Sequence, residues 1–219
     1  MGIVFGMTGS AEPAYNVISA GMLAGGELRF YTPFIVAEVP NPPGRGNGDG
    51  FSVLAKYIGV FGEPANEVKR AMAMTAPVTM VNRPESMAMT APVTMTSRSG
   101  TDYMGFVLPF EIQDLDQAPR PLDSRITLRK VPARLVAVRT YSGWHSDEVA
   151  RGQYIILKEE LKKHGLCDEH REDYEVSQYH PPFTLPFLRR NEIWCELKQS
   201  PSLPAVGKLL ASLALKGAK

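Results

Sequence analysis

The nine-residue segment MAMTAPVTM occurs twice without change, at residues 72–80 and 87–95. Each copy alternates. Met72, Met74, Ala76, Val78 and Met80 fall on one side, Ala73, Thr75, Pro77 and Thr79 on the other, and Met87, Met89, Ala91, Val93 and Met95 repeat the first set. A period of two is that of a β-strand. The intervening VNRPES reads as a hairpin loop that would pair Met80 with Met87 and Val78 with Met89. Pro77 and Pro92 carry no N–H to give to a ladder, so each copy is expected to kink or to lie at a sheet edge.

Around this repeat the chain reads as further strands and two helices. Leu28–Tyr31 and Phe34–Val39 are short strands split by Thr32-Pro33, with an apolar-alternating piece before them near Tyr15–Ile18. The Pro- and Gly-dense run at 40–50 is a loop. Phe51, Leu54, Ile58 and Phe61 recur at helical spacing, with Asp49 or Ser52 to open the helix and Gly59 and Gly62 to close it. Its other side carries Val53, Lys56, Tyr57 and Val60, a partly apolar second face of the kind that covers something.

Tyr103–Phe110, Ile126–Val131, Leu135–Tyr141, Tyr174–Tyr179 and Glu192–Leu197 read as strands. Residues 146–164 hold the best helix: Ser146 caps, Asp147 and Glu148 fill the first turn, Lys162, Lys163 and His164 the last, and Gly165 stops it. Val149, Tyr154, Ile156, Leu157 and Leu161 form its apolar face. Runs of antiparallel strands with only two helices indicate an α+β domain, and two similar halves suggest a pseudo-twofold. We expect one domain over residues 1–200 and a tail over 201–219, where Leu209, Leu210 and Leu213 would make a short helix or stay loose.

Composition narrows the function. A net charge of +1 over 219 residues gives no global basic field for nucleic acid. No run of about 18 apolar residues suggests a membrane span. Cys167 and Cys195 match no zinc spacing and read as reduced thiols. MGIVFGMTGS lacks the pattern of a secretory or transit signal, and Gly6 stands where N-myristoylation wants Ser or Thr. The expected location is cytoplasmic, with the chloroplast as the alternative. No Ser–His–Asp set, paired metal-binding histidines or reactive CxxC is legible, so no catalytic residue is assigned.

Several segments together carry a resemblance. GFSVLAKYIGVFG, the doubled MAMTAPVTM, FVLPFEI, VPARLVAVRTYSGW and YHPPFTLPFLRRNEIWCEL resemble the SOUL/haem-binding protein family from about Tyr15 to about Leu197. The doubled MTAPV element is closest to its plant and algal members. The resemblance implies a twisted, barrel-like antiparallel sheet of eight or nine strands with two flanking helices, an architecture shared with gyrase-inhibitor-like effector-binding domains. It also implies non-covalent binding of haem b or another porphyrin, in an apolar cleft between the first helix and a loop near the C-terminal end. Those positions correspond here to Val53–Tyr57 and Tyr179–Arg190.

A haem asks for a flat apolar wall, cations for two propionates and in some proteins an axial ligand. Val53, Leu54, Tyr57 and Val60, with Phe183, Leu185 and Phe187, are the candidate wall, although each also suits the core. Pro181, Pro182 and Pro186 would stiffen the loop. Lys56, Arg189 and Arg190 are the candidate cations, Arg being the better carboxylate fork. The two arginines have a competing structural role, pairing with Glu192 or Asp173.

Among the four histidines, His180 lies in the YHPP loop and is the candidate iron ligand, with Tyr57 and Tyr179 as oxygen alternatives. His164 suits a helix end, His170 an acidic solvated stretch and His145 a cap. The alternating methionines read as a pliable core face rather than as haem ligands. The leading expectation is a tetrapyrrole carrier, buffer or sensor. Its rivals are an enzyme acting on tetrapyrrole, for example by removing iron, and a ligand-free interaction module.

Overall fold

The first MAMTAPVTM copy enters the sheet just after its proline: strand β4 spans Val78–Asn82. The structure, a computed structural model, describes residues 12–40, 48–72, 78–82, 102–166, 173–180 and 183–197. The other strands are β1 (Tyr15–Leu23), β2 (Gly26–Tyr31), β3 (Phe34–Pro40), β5 (Tyr103–Val107), β6 (Thr127–Val131), β7 (Arg134–Tyr141), β8 (Tyr174–Gln178) and β9 (Asn191–Glu196). Helix α1 spans Gly48–Ile58 and α2 spans Asp147–Lys163.

All nine strands form one antiparallel sheet in the order β1-β2-β7-β9-β8-β4-β5-β3-β6. The α+β class, strand number and helix number match the expectation. The sheet is barrel-like only in its curl, because β1 and β6 are its two edges and it does not close.

The order contains the expected pseudo-twofold. The run β3-α1-β4-β5 places its strands as β4-β5-β3, and β7-α2-β8-β9 places its strands as β8-β9-β7. The two halves meet where β4 pairs with β8.

That junction overturns the hairpin read from the repeat. Val78 faces Phe106 on one side and Gln178 on the other, and Met80 faces Met104 and Val176. Both edges of β4 are taken, so Val78–Met89 and Met80–Met87 pairing has no free edge to use. The second copy lies outside the described residues, as do Cys167, His170, Pro181, Pro182 and the tail beyond 200.

The nine-residue strand β1 was legible only as a short alternating piece. Its register against β2 shifts between Val17 and Ser19 and again between Ala20 and Leu23. Such bulges break the period-two pattern by which a strand is read, and they are usual at an edge.

Side-chain alternation gives the sheet two faces. On the outer face α1 buries Leu54, Ala55, Tyr57 and Ile58 with Ile35, Ala37, Met104 and Phe106. Helix α2 buries Ala150, Tyr154, Leu157 and Leu161 against β2, β7, β8 and β9, with Tyr154 stacked on Tyr174 at 4.6 Å. Each such large apolar side chain contributes roughly 1.5–3 kcal/mol on burial.

Two expected faces are corrected here. Val149 and Ile156 of α2 are exposed, and Ala150 takes the buried position. Tyr57 belongs to the buried face of α1, and Phe61 lies beyond the helix end and is exposed. The inner face joins the ends of the sheet: Phe34, Val36, Val107 and Val131 pack with Tyr31, Val136, Val138 and Trp194.

Candidate functional site

The loop joining β8 to β9 is built by its own backbone. Leu188 N donates to Leu185 O and Arg189 N to Pro186 O, a single 3-10 turn with Pro186 at its start. Proline tolerates that first position because its missing N–H has no partner there in any case. Two further bonds clip the loop to the junction between β7 and α2. Gly143 N donates to Pro186 O at 2.8 Å, and Asn191 Nδ2 donates to Gly143 O at 3.2 Å. Gly143 has φ +102, a conformation that suits glycine.

On this frame the expected wall residues of the loop stand exposed: Phe183 at 62%, Leu185 at 38% and Phe187 at 71%. Trp144, on the clipped junction, is 64% exposed. The guanidinium of Arg189 lies 3.9 Å above the Trp144 ring, and its Nε donates to the carbonyl of buried Thr184 at 2.8 Å. Sequence reasoning did not assign Trp144 to the site. Its signal was a tryptophan between a glycine and a histidine at a strand–helix junction.

Arg190 is committed inward. Its Nε donates to Glu192 Oε1 at 2.9 Å with Nη2 in ion-pair contact at 2.8 Å, its Nη1 donates to Glu12 at 2.9 Å, and its guanidinium lies 3.8 Å from the Tyr179 ring. Glu192 is fully buried. Its Oε2 accepts from Arg29 Nη1 at 3.0 Å, Tyr179 O–H at 2.6 Å and Trp194 Nε1 at 2.7 Å. Burial, the largest single influence, would lower the Arg190 and Arg29 pKa values, but Glu192 together with Tyr31 and Glu27 around Arg29, and with Tyr179 and Glu12 around Arg190, outweighs it and holds both above the ordinary arginine range. Burial, with the Glu192 charge behind it, pushes the Tyr179 hydroxyl well above an ordinary tyrosine. The pairing of Arg190 with Glu192, read from the sequence as the structural alternative, is the arrangement formed.

His180 is half-buried, and its Nδ1 accepts the backbone N–H of Arg190 at 2.9 Å. A neutral imidazole whose Nδ1 accepts carries its proton on Nε2. A histidine that ligates iron through Nε2 has the reverse tautomer, with Nδ1–H donating. This arrangement commits the Nδ1 atom of His180 to the loop backbone.

The α1 candidates divide. Leu54 and Tyr57 are fully buried and offer no surface, and the Tyr57 hydroxyl donates to Pro119 O at 2.7 Å. Burial pushes that hydroxyl up to about 12. Lys56 and Val60 are exposed and Val53 is half-buried. Thus α1 offers Val53 and Lys56, the turn after it Val60, which lies beyond the helix end, and the loop offers Phe183, Leu185 and Arg189.

His145 does not cap α2, because Ser146 Oγ takes that bond from Val149 N at 3.2 Å. Its Nδ1 sits 3.1 Å from the Tyr141 hydroxyl. Elsewhere a cavity of about 370 Å³ lies between the β2–β3 turn and the chain after β5, lined by Pro33, Phe34, Leu108 and Ile112 and rimmed by Glu12 and Lys130. None of the expected site residues lines it. Among the described residues no cluster of His, Cys, Asp and Glu could hold a metal ion, and no helix is long and apolar enough to cross a membrane.

Comparison with known proteins follows the same lines. A family model described as SOUL heme-binding protein matches residues 10–196. Heme-binding protein 2 of Homo sapiens is 29% identical over 153 residues, which are 70% of this chain and 67% of that protein. Heme-binding protein 2 of Mus musculus is 28% identical over 154 residues, with the same shares of the two chains. Among solved structures, an uncharacterized conserved protein from Listeria innocua aligns with a TM-score of 0.52 at 10% identity, over 78% of this chain and 91% of that one. At that identity the likeness is one of fold.

Proposed function

The chain belongs to the SOUL haem-binding protein family, and on that footing we propose that it binds haem b or a related porphyrin non-covalently as a carrier, buffer or sensor. On this reading the site draws on the β8–β9 loop and on the accessible side of α1. The observation that carries this reading is the exposure of Phe183, Leu185 and Phe187 on one clipped loop beside the Arg189 guanidinium. Contiguous exposed apolar side chains mark interaction sites more often than chance surface, and a nearby cation suits a ligand whose apolar body ends in carboxylates.

The chain's own residues fit the porphyrin better than the iron. Phe183, Leu185 and Val53 supply apolar surface, and Arg189 and Lys56 supply positive charge. Arg190 keeps the loop's inner side in register through Glu192 and Glu12. His180 pins the loop by accepting the Arg190 N–H. Haem itself would supply the chemistry of iron and a strong visible absorption; on this reading retention of the macrocycle is the protein's work, and it needs no axial residue. Iron removal would need an acid–base set that the described site does not present.

Titration of the full chain with haemin, followed by the Soret band and by thermal melting, tests the reading. A shifted band and a raised melting temperature are expected, since a ligand at 100 times its dissociation constant stabilises by about 2.7 kcal/mol. His180→Ala should keep the band position of the unaltered chain. No shift and no stabilisation with haemin or protoporphyrin would end the proposal. Growth of metal-free porphyrin fluorescence on incubation with haemin would favour the enzyme instead.

A further inference from the structure

We propose that Trp144 is the stacking platform of this site: the indole face turned away from Arg189 receives the flat face of the porphyrin, and Arg189, held on the other face, is the cation at the rim of the site. The inference rests on the tetrapyrrole reading above and assigns to it a residue from a different part of the chain.

Four observations carry it. Trp144 keeps 64% of its surface exposed, whereas Trp194 is 1% exposed. Tryptophan is highly buried on average, so an indole held in the open costs hydrophobic free energy that packing would recover. The indole is also fixed. The Gly143 clips to Pro186 and Asn191 hold its backbone, and the Arg189 guanidinium, anchored by the Thr184 carbonyl, lies 3.9 Å from its ring.

A rigid exposed aromatic loses little entropy when a ligand arrives. Exposed Phe183 and Phe187 belong to the loop that Gly143 clips beside the indole. The charge is complementary as well: a guanidinium beside an aromatic face favours a planar ligand with anionic edges. Stacking involves the macrocycle and not the metal, so metal-free porphyrin should use the platform as haemin does.

The two tryptophans make the test direct. Emission that acrylamide quenches comes from Trp144, because Trp194 is buried. In the unaltered full chain, saturating haemin or protoporphyrin should abolish the acrylamide-quenchable fraction of the emission, because the stacked indole is both shielded and quenched by the porphyrin. Trp144→Leu should fold with an unchanged melting temperature and weaken both ligands about tenfold. Arg189→Gln should weaken both as well.

If the unaltered chain binds porphyrin while Trp144 stays open to acrylamide and Trp144→Leu binds equally well, the platform is wrong and the tetrapyrrole reading stands. If the unaltered chain binds neither ligand, both fall. A dimer in light scattering that Trp144→Leu dissociates, with porphyrin leaving Trp144 emission unchanged, would assign the exposed indole to a second copy and overturn the platform. Because the acrylamide experiment needs no variant, poor folding of Trp144→Leu would not shield the proposal.

Discussion

Arg29 and Glu192, 163 residues apart in sequence, meet at 3.0 Å with side-chain exposures of 4% and 0%. Arg190 approaches the same carboxylate from the other side. One buried anion thus ties β2, β9 and the β8–β9 loop together. Four hydrogen bonds and the Arg190 Nη2 ion-pair contact leave its oxygens well satisfied. Glu192→Ala should therefore cost about 3–5 kcal/mol, because it strands two arginines without their shared partner. Urea unfolding followed by Trp194 emission measures it, and a loss below 1 kcal/mol would show that water relieves the arginines. Glu192→Gln, which keeps an acceptor, should cost less.

Tyr57→Phe tests the structural role of a residue that also suited an oxygen ligand. The change leaves the buried Pro119 carbonyl without its 2.7 Å donor. We expect a loss of about 1–3 kcal/mol and an unchanged haemin affinity. An altered haemin spectrum in Tyr57→Phe would return the residue to the ligand site.

Stability should carry an acid limb from His145. Burial lowers its pKa, with Asp147 pulling weakly the other way. The folded state therefore binds fewer protons than the unfolded state, whose histidine titrates near its ordinary value of about 6.5. Its contribution is complete above that value and is lost as pH falls through the depressed folded pKa. Melting temperatures from pH 7.5 to pH 5 should fall more steeply for the unaltered chain than for His145→Gln. Parallel curves would mean that another group sets the limb.

The cap of α2 is the simplest energetic test. Ser146→Ala removes the side-chain acceptor of the Val149 N–H, 3.2 Å away, and should cost about 1 kcal/mol. Ser146→Asn should recover most of it, and a Ser146→Ala chain as stable as the parent would show that water replaces the cap.

Much of this molecule is local, and that part was legible. The Ser146 cap, the acidic first turn and basic last turn of α2, the stop of α1 before Gly59 and the apolar strand runs of β2, β3 and β7 depend on neighbours within a few residues. The family likeness rested on motifs that are themselves contiguous. The α2 face was misread at Val149 and Ile156 because hydrophobic character alone does not say which of two adjacent apolar stripes meets the sheet. The pairing of the repeat was misread for a related reason: two identical alternating segments look like natural partners, and nothing local announces that β5 and β8 take both edges of β4.

The candidate site divides along the same line. From its own residues the chain determined an early helix with apolar residues on two sides and a proline-stiffened aromatic loop followed by two arginines. Tertiary structure alone decided that Arg190 turns inward to Glu192 while Arg189 lies on Trp144, that Tyr57 is core, and that the Nδ1 atom of His180 is engaged by the Arg190 backbone. The reason is physical: propensity and capping act between near neighbours, whereas burial, ion pairing and tautomer choice depend on atoms that come close only when the sheet curls and brings distant strands together.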